Sequence, residues 1–364
     1  MAMTQAREHQ FVPRFYLKQF SGNGASISLY NFARRLQVAG APIKSQCARR
    51  QLHAFEPGLE DRFAKDEAVW AATMRAVIAA GRAPARGTSM YDDLLRFVVA
   101  QKNRTIRAGE SALRLSEFFH KHMVEHASEE QRREADAALA ETRAHPVRLP
   151  IEVGVRLPDE VTRLDAHLLH NNTPIDFITS DDPVVMHNQY CEGIDYRGVL
   201  GWNRVGIQVF FPLSPKIALM LFDPAVYKVD GTRHGERAMT VTALDDVHGL
   251  NSLQALNALE NVFSRTADEG FEAFCLEMAA RRPQSRQRFV ESTPIEEPDG
   301  QMSMLLHSFE SLLPTALGLE GIVLRKRARK VPLHARAGRA RDGLPPRRAG
   351  GSFVRYAIAA MFDR

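Results

Sequence analysis

The feature that most constrains the fold is an ordered change in apolar spacing along the chain. From Pro57 to Ala80, Leu59, Phe63, Trp70, Met74, Val77 and Ile78 fall largely on one helical stripe, and Gly81 is a natural stop. Tyr91 to Asn103 repeats the theme with Leu94, Leu95, Val98 and Val99, and Leu113 to Val124 continues it with Leu115, Phe118, Phe119 and Met123. Ser128, Glu129 and Glu130 open a charged helix that runs to about Arg143. After Pro146 the runs become short and β-leaning: Ala166–His170, Ile175–Thr179, Val205–Phe211 and Ile217–Phe222, cut by NNTP, SDDP and PLSP turns. A helical turn over Phe11–Phe20, with Pro13 in its first position, and an alternating strand over Ser26–Phe32 come before all of these. Val241–Ser264 returns to helix, with leucines recurring at three. Helices, then strands, then a helix predict an α+β domain over about residues 5–270, a helical layer packed on a small, mostly antiparallel sheet. A peripheral segment over 271–320 and a basic C-terminal extension over 321–364 follow.

Composition sets the class. With 45% apolar and 25% charged residues, the 364-residue chain is neither disordered, collagen-like nor membrane-embedded as a whole. Three cysteines with no close pair make neither a disulfide framework nor a zinc motif, so a reduced, cytoplasmic protein is expected. No window is apolar enough for a membrane helix, and the first residues have no apolar stretch long enough for a signal peptide. The net charge of +5 is unevenly spread. Gly321–Arg364 holds twelve Lys and Arg against Asp342 and Asp363, and the remaining chain is mildly acidic. That argues against a folded nucleic-acid face visible in composition, although the extension could touch nucleic acid nonspecifically. Its lack of periodicity predicts that it is dispensable for folding.

Several short motifs arrive in order: EHQFVPRFYLKQF, LEDRFAKDE, AQKNRT, HNNTPIDFITSDDPVVMHN and FFPLSPK. Together, from about His9 to about Ser264, they resemble the bacterial family of domain of unknown function 4238. The resemblance implies an architecture and candidate residues, and no established reaction. One departure stands out: the family histidine directly precedes the aromatic, whereas here Gln10 holds that slot and His9 sits beside it. Joint membership of these blocks implies that Glu60, Arg104 and Asp181 converge in space.

Each candidate has a functional and a plain structural reading. Asp181 and Asp182, at the end of the predicted Ile175–Thr179 strand, can hold a divalent cation such as Mg or Mn through hard oxygens, or form a local turn ahead of Pro183. Glu60 and Glu67, two helical turns apart on one face, can add carboxylates or simply face solvent. Arg104 can clamp an anion, or pair structurally with Glu60 or Asp181. His122 and His126 have metal-ligand spacing, but Glu125 stands against the second histidine, so the zincin order is absent. His167 and His170, three apart on a strand, face opposite sides. No phosphate-binding loop, dinucleotide fingerprint, nucleophile elbow or C-x-x-C pair occurs.

Two functions emerge. One is metal-assisted hydrolysis of a phosphate ester, nucleic acid among the candidates. Asp181 with Asp182 or Glu60 would hold the cation, Arg104 would stabilise developing charge and His9 would serve as general base. The other is a non-catalytic binding or regulatory module in which the same residues form a buried ion-pair network.

Overall fold

The computed structural model describes residues 8–341 apart from 51, 54, 125–126, 155–158, 194–197, 232–234, 283–288, 297–301 and 337–340. The chain opens with β1 (Glu8–Gln10), α1 (Arg14–Leu17), the hairpin β2 (Ser26–Asn31) and β3 (Leu36–Pro42), and β4 (Ala48–Arg50). Four long helices follow: α2 (Leu59–Ala80), α3 (Ser89–Asn103), α4 (Ile106–Val124) and α5 (Glu129–Ala144). The short α6 (Arg148–Gly154) and α7 (Asp159–Thr162) lead into β5 (Asp165–Asn171), β6 (Thr179–Ser180), β7 (Val185–His187), β8 (Gln208–Ser214), β9 (Ile217–Phe222), β10 (Tyr227–Val229) and β11 (Ala238–Val241). Then come α8 (Leu244–Asn257), β12 (Asn261–Ser264), α9 (Glu269–Arg281), β13 (Phe289–Glu296), β14 (Met302–Phe309), β15 (Ile322–Leu324) and α10 (Lys326–Arg329).

The helices begin and end for local chemical reasons. The Thr88 side chain accepts from the Tyr91 amide at the start of α3, and Ser128 with Gln131 closes a reciprocal capping box on α5. At the end of α2, Gly81 adopts φ +62°, the left-handed cap that glycine takes without steric cost.

The fold is α+β, with several small, mostly antiparallel sheets. A five-stranded sheet has the order β11-β5-β9-β8-β7, and a four-stranded sheet the order β3-β2-β12-β6. Every pairing in these two sheets is antiparallel except β11 with β5. Period-two alternation gives the larger sheet two apolar faces. Leu168, Val209, Phe211, Leu219 and Leu221 join the core that holds Trp70, Met74, Leu94 and Val98 of α2 and α3. Leu169, Phe210, Met220 and Phe222 join the core of Leu250, Leu253 and Leu256 on α8 and Phe271 and Met278 on α9. The sheet is therefore an inner layer with helices over both faces. Tyr16 ties the two sheets together, its hydroxyl 2.6 Å from Thr179 Oγ1 and donating to the Pro212 carbonyl at 2.7 Å.

Two sequence expectations are corrected. The helix expected over Val241–Ser264 stops at Asn257, and Asn261–Ser264 is strand β12 between β2 and β6. Its leucine spacing runs across a turn whose last helical carbonyls are held by arginines, and Val262 and Phe263 then suit a buried strand. Over Ile175–Thr179 only Thr179 is strand, because Asn251 takes over the backbone there: its side chain accepts from Ile178 and donates to the Asp176 carbonyl. In its described part, the basic extension expected to be dispensable for folding is tied to the body. β15 pairs with β10, and Ile322, Ala328 and Arg341 are buried. Residues 342–364 lie outside the described residues.

Candidate functional site

The site begins with the pairing of β1 and β4, which sets His9 opposite Arg49. His9 is buried between exposed Glu8 and half-buried Gln10. Just past β4 the chain turns toward α2 and presents His53, whose backbone N–H donates to His9 Nδ1 at 2.8 Å. The two imidazoles stack with centroids 5.3 Å apart and planes 15° apart. In the first turn of α2, Glu60 Oε1 lies 2.6 Å from His53 Nδ1 and 3.7 Å from His9 Nδ1. Since one His9 lone pair is engaged by the amide, its neutral ring carries the proton on Nε2. His53 donates Nδ1–H to the carboxylate, which leaves Nε2 as an acceptor, buried and unpartnered among the described residues. Burial holds the His53 imidazole below its ordinary pKa, against the opposing pull of Glu60. Burial pushes the Glu60 carboxyl up, but the His53 hydrogen bond, with His9 and Arg104, outweighs it and leaves the carboxyl below its usual value.

The second half of the site comes from the end of α3. Gln101 donates to the Phe11 carbonyl at 3.0 Å, and Arg104 Nη2 to the Gln10 carbonyl at 2.5 Å. These two bonds fasten the helix to the strand that carries His9. Arg104 is 2% exposed. It pairs with Glu67 Oε1 at 2.8 Å, so its partner is neither Glu60 nor Asp181. Its guanidinium lies 4.9 Å from the Phe63 ring centroid, and the His53 ring lies 5.0 Å from the same centroid. Phe63 is thus a shared apolar platform for a histidine and an arginine. Arg104 Nε and Nη1 have no partner among the described residues. An unsatisfied buried donor is costly, and two on one cation are what a bound anion would fill. The Glu60 side chain is 40% exposed and that of Glu67 28%, so the α2 side of the site meets solvent.

The expected pair of metal-binding aspartates does not form. Asp181 spends both oxygens on three backbone amides: Leu259 at 2.6 Å, Glu260 at 2.7 Å and Asn261 at 2.8 Å. Asp182 faces Arg107 Nε at 3.1 Å and Lys102 Nζ at 3.8 Å, near enough for ion pairing yet not aligned as hydrogen bonds. Arg107 Nη2 donates to the Asn257 and Ala258 carbonyls, and Arg282 Nη2 to those of Ala258 and Leu259. Both arginines cap the C-terminus of α8, where cations are favoured. Residues 257–261 are thus clamped through their carbonyls by two arginines and through their amides by one aspartate. This is an anchor for β12, and it commits both oxygens of Asp181 to the backbone rather than to a cation.

Among the described residues, the one group of three or more metal-capable side chains is His9, His53 and Glu60, with ligand atoms within 4.8 Å of one another. Of the expected residues, His9, Glu60 and Arg104 meet around Phe63 and Gln10, while Asp181 and Asp182 belong to the β12 anchor. His53, Lys102, Arg107 and Arg282 were not singled out from sequence. His53 precedes α2, so no helical spacing links it to Glu60; only a histidine just ahead of an acidic helix start hints at the pair. His120 bonds Asp136 at 2.6 Å across α4 and α5, His122 lies 2.9 Å from the Phe118 carbonyl, and Glu125 and His126 lie outside the described residues. His167 and His170 sit at odd separation in β5, the first against Phe222 and the second on the Gly81 carbonyl. A cavity of about 340 Å³ lined by Gly81, His170, Glu236 and Met239 shares no residue with the site. No described helix is long and apolar enough to cross a membrane. A family model described as a protein of unknown function, DUF4238, matches residues 8–268. No curated protein and no solved structure matches the chain.

Proposed function

Because the chain belongs to the DUF4238 family, whose description carries no reaction, we propose its function from the site alone: hydrolysis of a phosphate ester. His9, His53 and Glu60 form the end that activates water, and Arg104 the end that receives the charged oxygens. The observation that carries this reading is the pair of unfilled groups that share Phe63 as a platform. His53 Nε2 and the Nε and Nη1 donors of Arg104 are all buried without partners among the described residues. Buried groups without a hydrogen-bond partner among the described residues also occur in the β12 anchor, at Asp182 and Arg107 Nε. Here the open acceptor and the open donors share Phe63 and lie beside the part-exposed Glu60 and Glu67, where a substrate can reach them. Asp181 and Asp182 have no part in the chemistry. The clamp of Asp181 on residues 259–261, with Asp182 set against Arg107 and Lys102, favours a second reading, a non-catalytic module whose ion pairs only fix helices to sheets.

Turnover of chromogenic phosphate mono- and diesters separates the two. The hydrolase reading expects His53→Ala and Arg104→Lys each to lose about 100-fold or more in kcat/KM while the far-UV dichroism stays unchanged. Folded variants that match the wild-type rate, or a wild type without turnover on either ester class, would leave the module reading.

A further inference from the structure

Resting on the reading of His9, His53 and Glu60 as the water-activating end, we infer that this trio binds one divalent transition-metal ion of the zinc class, with the His53 proton moving from Nδ1 to Nε2 so that Nδ1 becomes a ligand.

The geometry is close to that of a metal site without being one. Bonds of about 2.1 Å in a tetrahedron place ligand atoms about 3.4 Å apart. Glu60 Oε1 is 2.6 Å from His53 Nδ1 and 3.7 Å from His9 Nδ1. The first gap must widen and the second narrow, each by less than about 1 Å. The gap between the two histidine nitrogens, now within 4.8 Å, must also reach this value, and the stacked rings must turn so that their lone pairs converge. Coordination through His9 Nδ1 gives up the amide bond from His53, a neutral hydrogen bond weaker than a metal–nitrogen bond. The exchange balances: the His53 proton moves from Nδ1 to Nε2, the neutral imidazole offers its Nδ1 lone pair to the ion, and no net proton is released. Glu60 supplies the compensating negative charge, and Arg104 is already paired with Glu67.

Donor chemistry selects the ion. Two imidazole nitrogens and one carboxylate oxygen suit zinc, cobalt, nickel or iron, whereas magnesium and calcium favour oxygen cages. The magnesium-type site expected of Asp181 and Asp182 is therefore replaced by a nitrogen-rich one built on β1 and the start of α2. Three protein ligands leave a fourth position for water, and the exposed edge of Glu60 supplies the route in.

The test is titration of tag-free, chelator-stripped protein with Co²⁺, followed by its visible d–d band. One equivalent, a tetrahedral band and displacement by Zn²⁺ but not by Mg²⁺ are expected. Zn²⁺ is expected to raise Tm, since a ligand of the native state alone stabilises it. His53→Ala and Glu60→Gln should bind at least about 100-fold more weakly. If either fails to fold, His9→Gln, which keeps an acceptor for the His53 amide, provides the same comparison. Absence of the band, or equal affinity in the variants, overturns the inference. Ester turnover that survives exhaustive chelation, in protein that shows no Co²⁺ band, overturns it while leaving the hydrolase reading intact. Tight Co²⁺ binding with no ester turnover supports it and removes the hydrolase reading.

Discussion

At Asp181 burial and amide donation oppose each other. Burial pushes its carboxyl from 3.8 up to about 6, although three backbone amides hold it down. The folded chain thus keeps a proton that the unfolded chain has already released between about pH 4 and pH 6. Stability falls as pH rises through that window and levels above it, a loss of about 3 kcal/mol in all. Asp181→Asn should flatten this slope in urea unfolding followed from pH 4 to 7. It should also cost about 1–3 kcal/mol at pH 7, because the new NH₂ group must face a backbone N–H that the aspartate meets with an oxygen. An unchanged slope in the variant would remove Asp181 as its source. Neither role was legible from the Ser-Asp-Asp-Pro string, which reads equally as a cation site or a turn. The donors at 259–261 lie almost eighty residues away, beyond any local pattern.

Among elements, the long helices were legible and the α8–β12 junction was not. α2 and α3 carry an apolar stripe with a Gly81 stop and a Thr88 cap, and α5 its Ser128 cap, within their own sequence, whereas α4 begins at Ile106, ahead of the expected Leu113. α8 is buried over most of its residues, so its leucines show no polar face that would mark its end. The contact between α4 and the start of α6 likewise lies outside local pattern. Gly109, inside α4, has space for no side chain: a Cβ there would come within 2.9 Å of Val147 Cγ1 and 3.2 Å of the Pro146 backbone. Helix propensity alone would make alanine better by about 1 kcal/mol. Overpacking at this distance outweighs that gain, so Gly109→Ala should destabilise the protein by about 1–3 kcal/mol. A raised Tm for the variant would show that Val147 simply moves aside.

Across the whole molecule, charge composition gave no sign that the start of the C-terminal extension packs on the body. A basic run without periodicity resembles a solvated tail, yet three of its residues pair with β10: Ile322 with Val229, Val323 with Lys228 and Leu324 with Tyr227. Farther along, Arg341 donates to the Trp202 carbonyl, and to that of Glu160, while its own amide bonds Asn203. Truncation after Glu320 should therefore lower Tm and soluble yield, whereas truncation after Arg341 keeps these contacts. A chain ending at Glu320 that melts with the full-length protein would restore the view of the extension as dispensable.

The order of strands in the smaller sheet bears on how the protein is made. β2 is completed by β12, so Asn31 waits for Asn261, 230 positions later in the chain. At about 5–20 residues per second of synthesis, the β2–β3 hairpin emerges from the ribosome with one bare edge for some tens of seconds. The smaller sheet can close only after translation has passed Ser264, which leaves the nascent N-terminus open to mispairing for that whole interval.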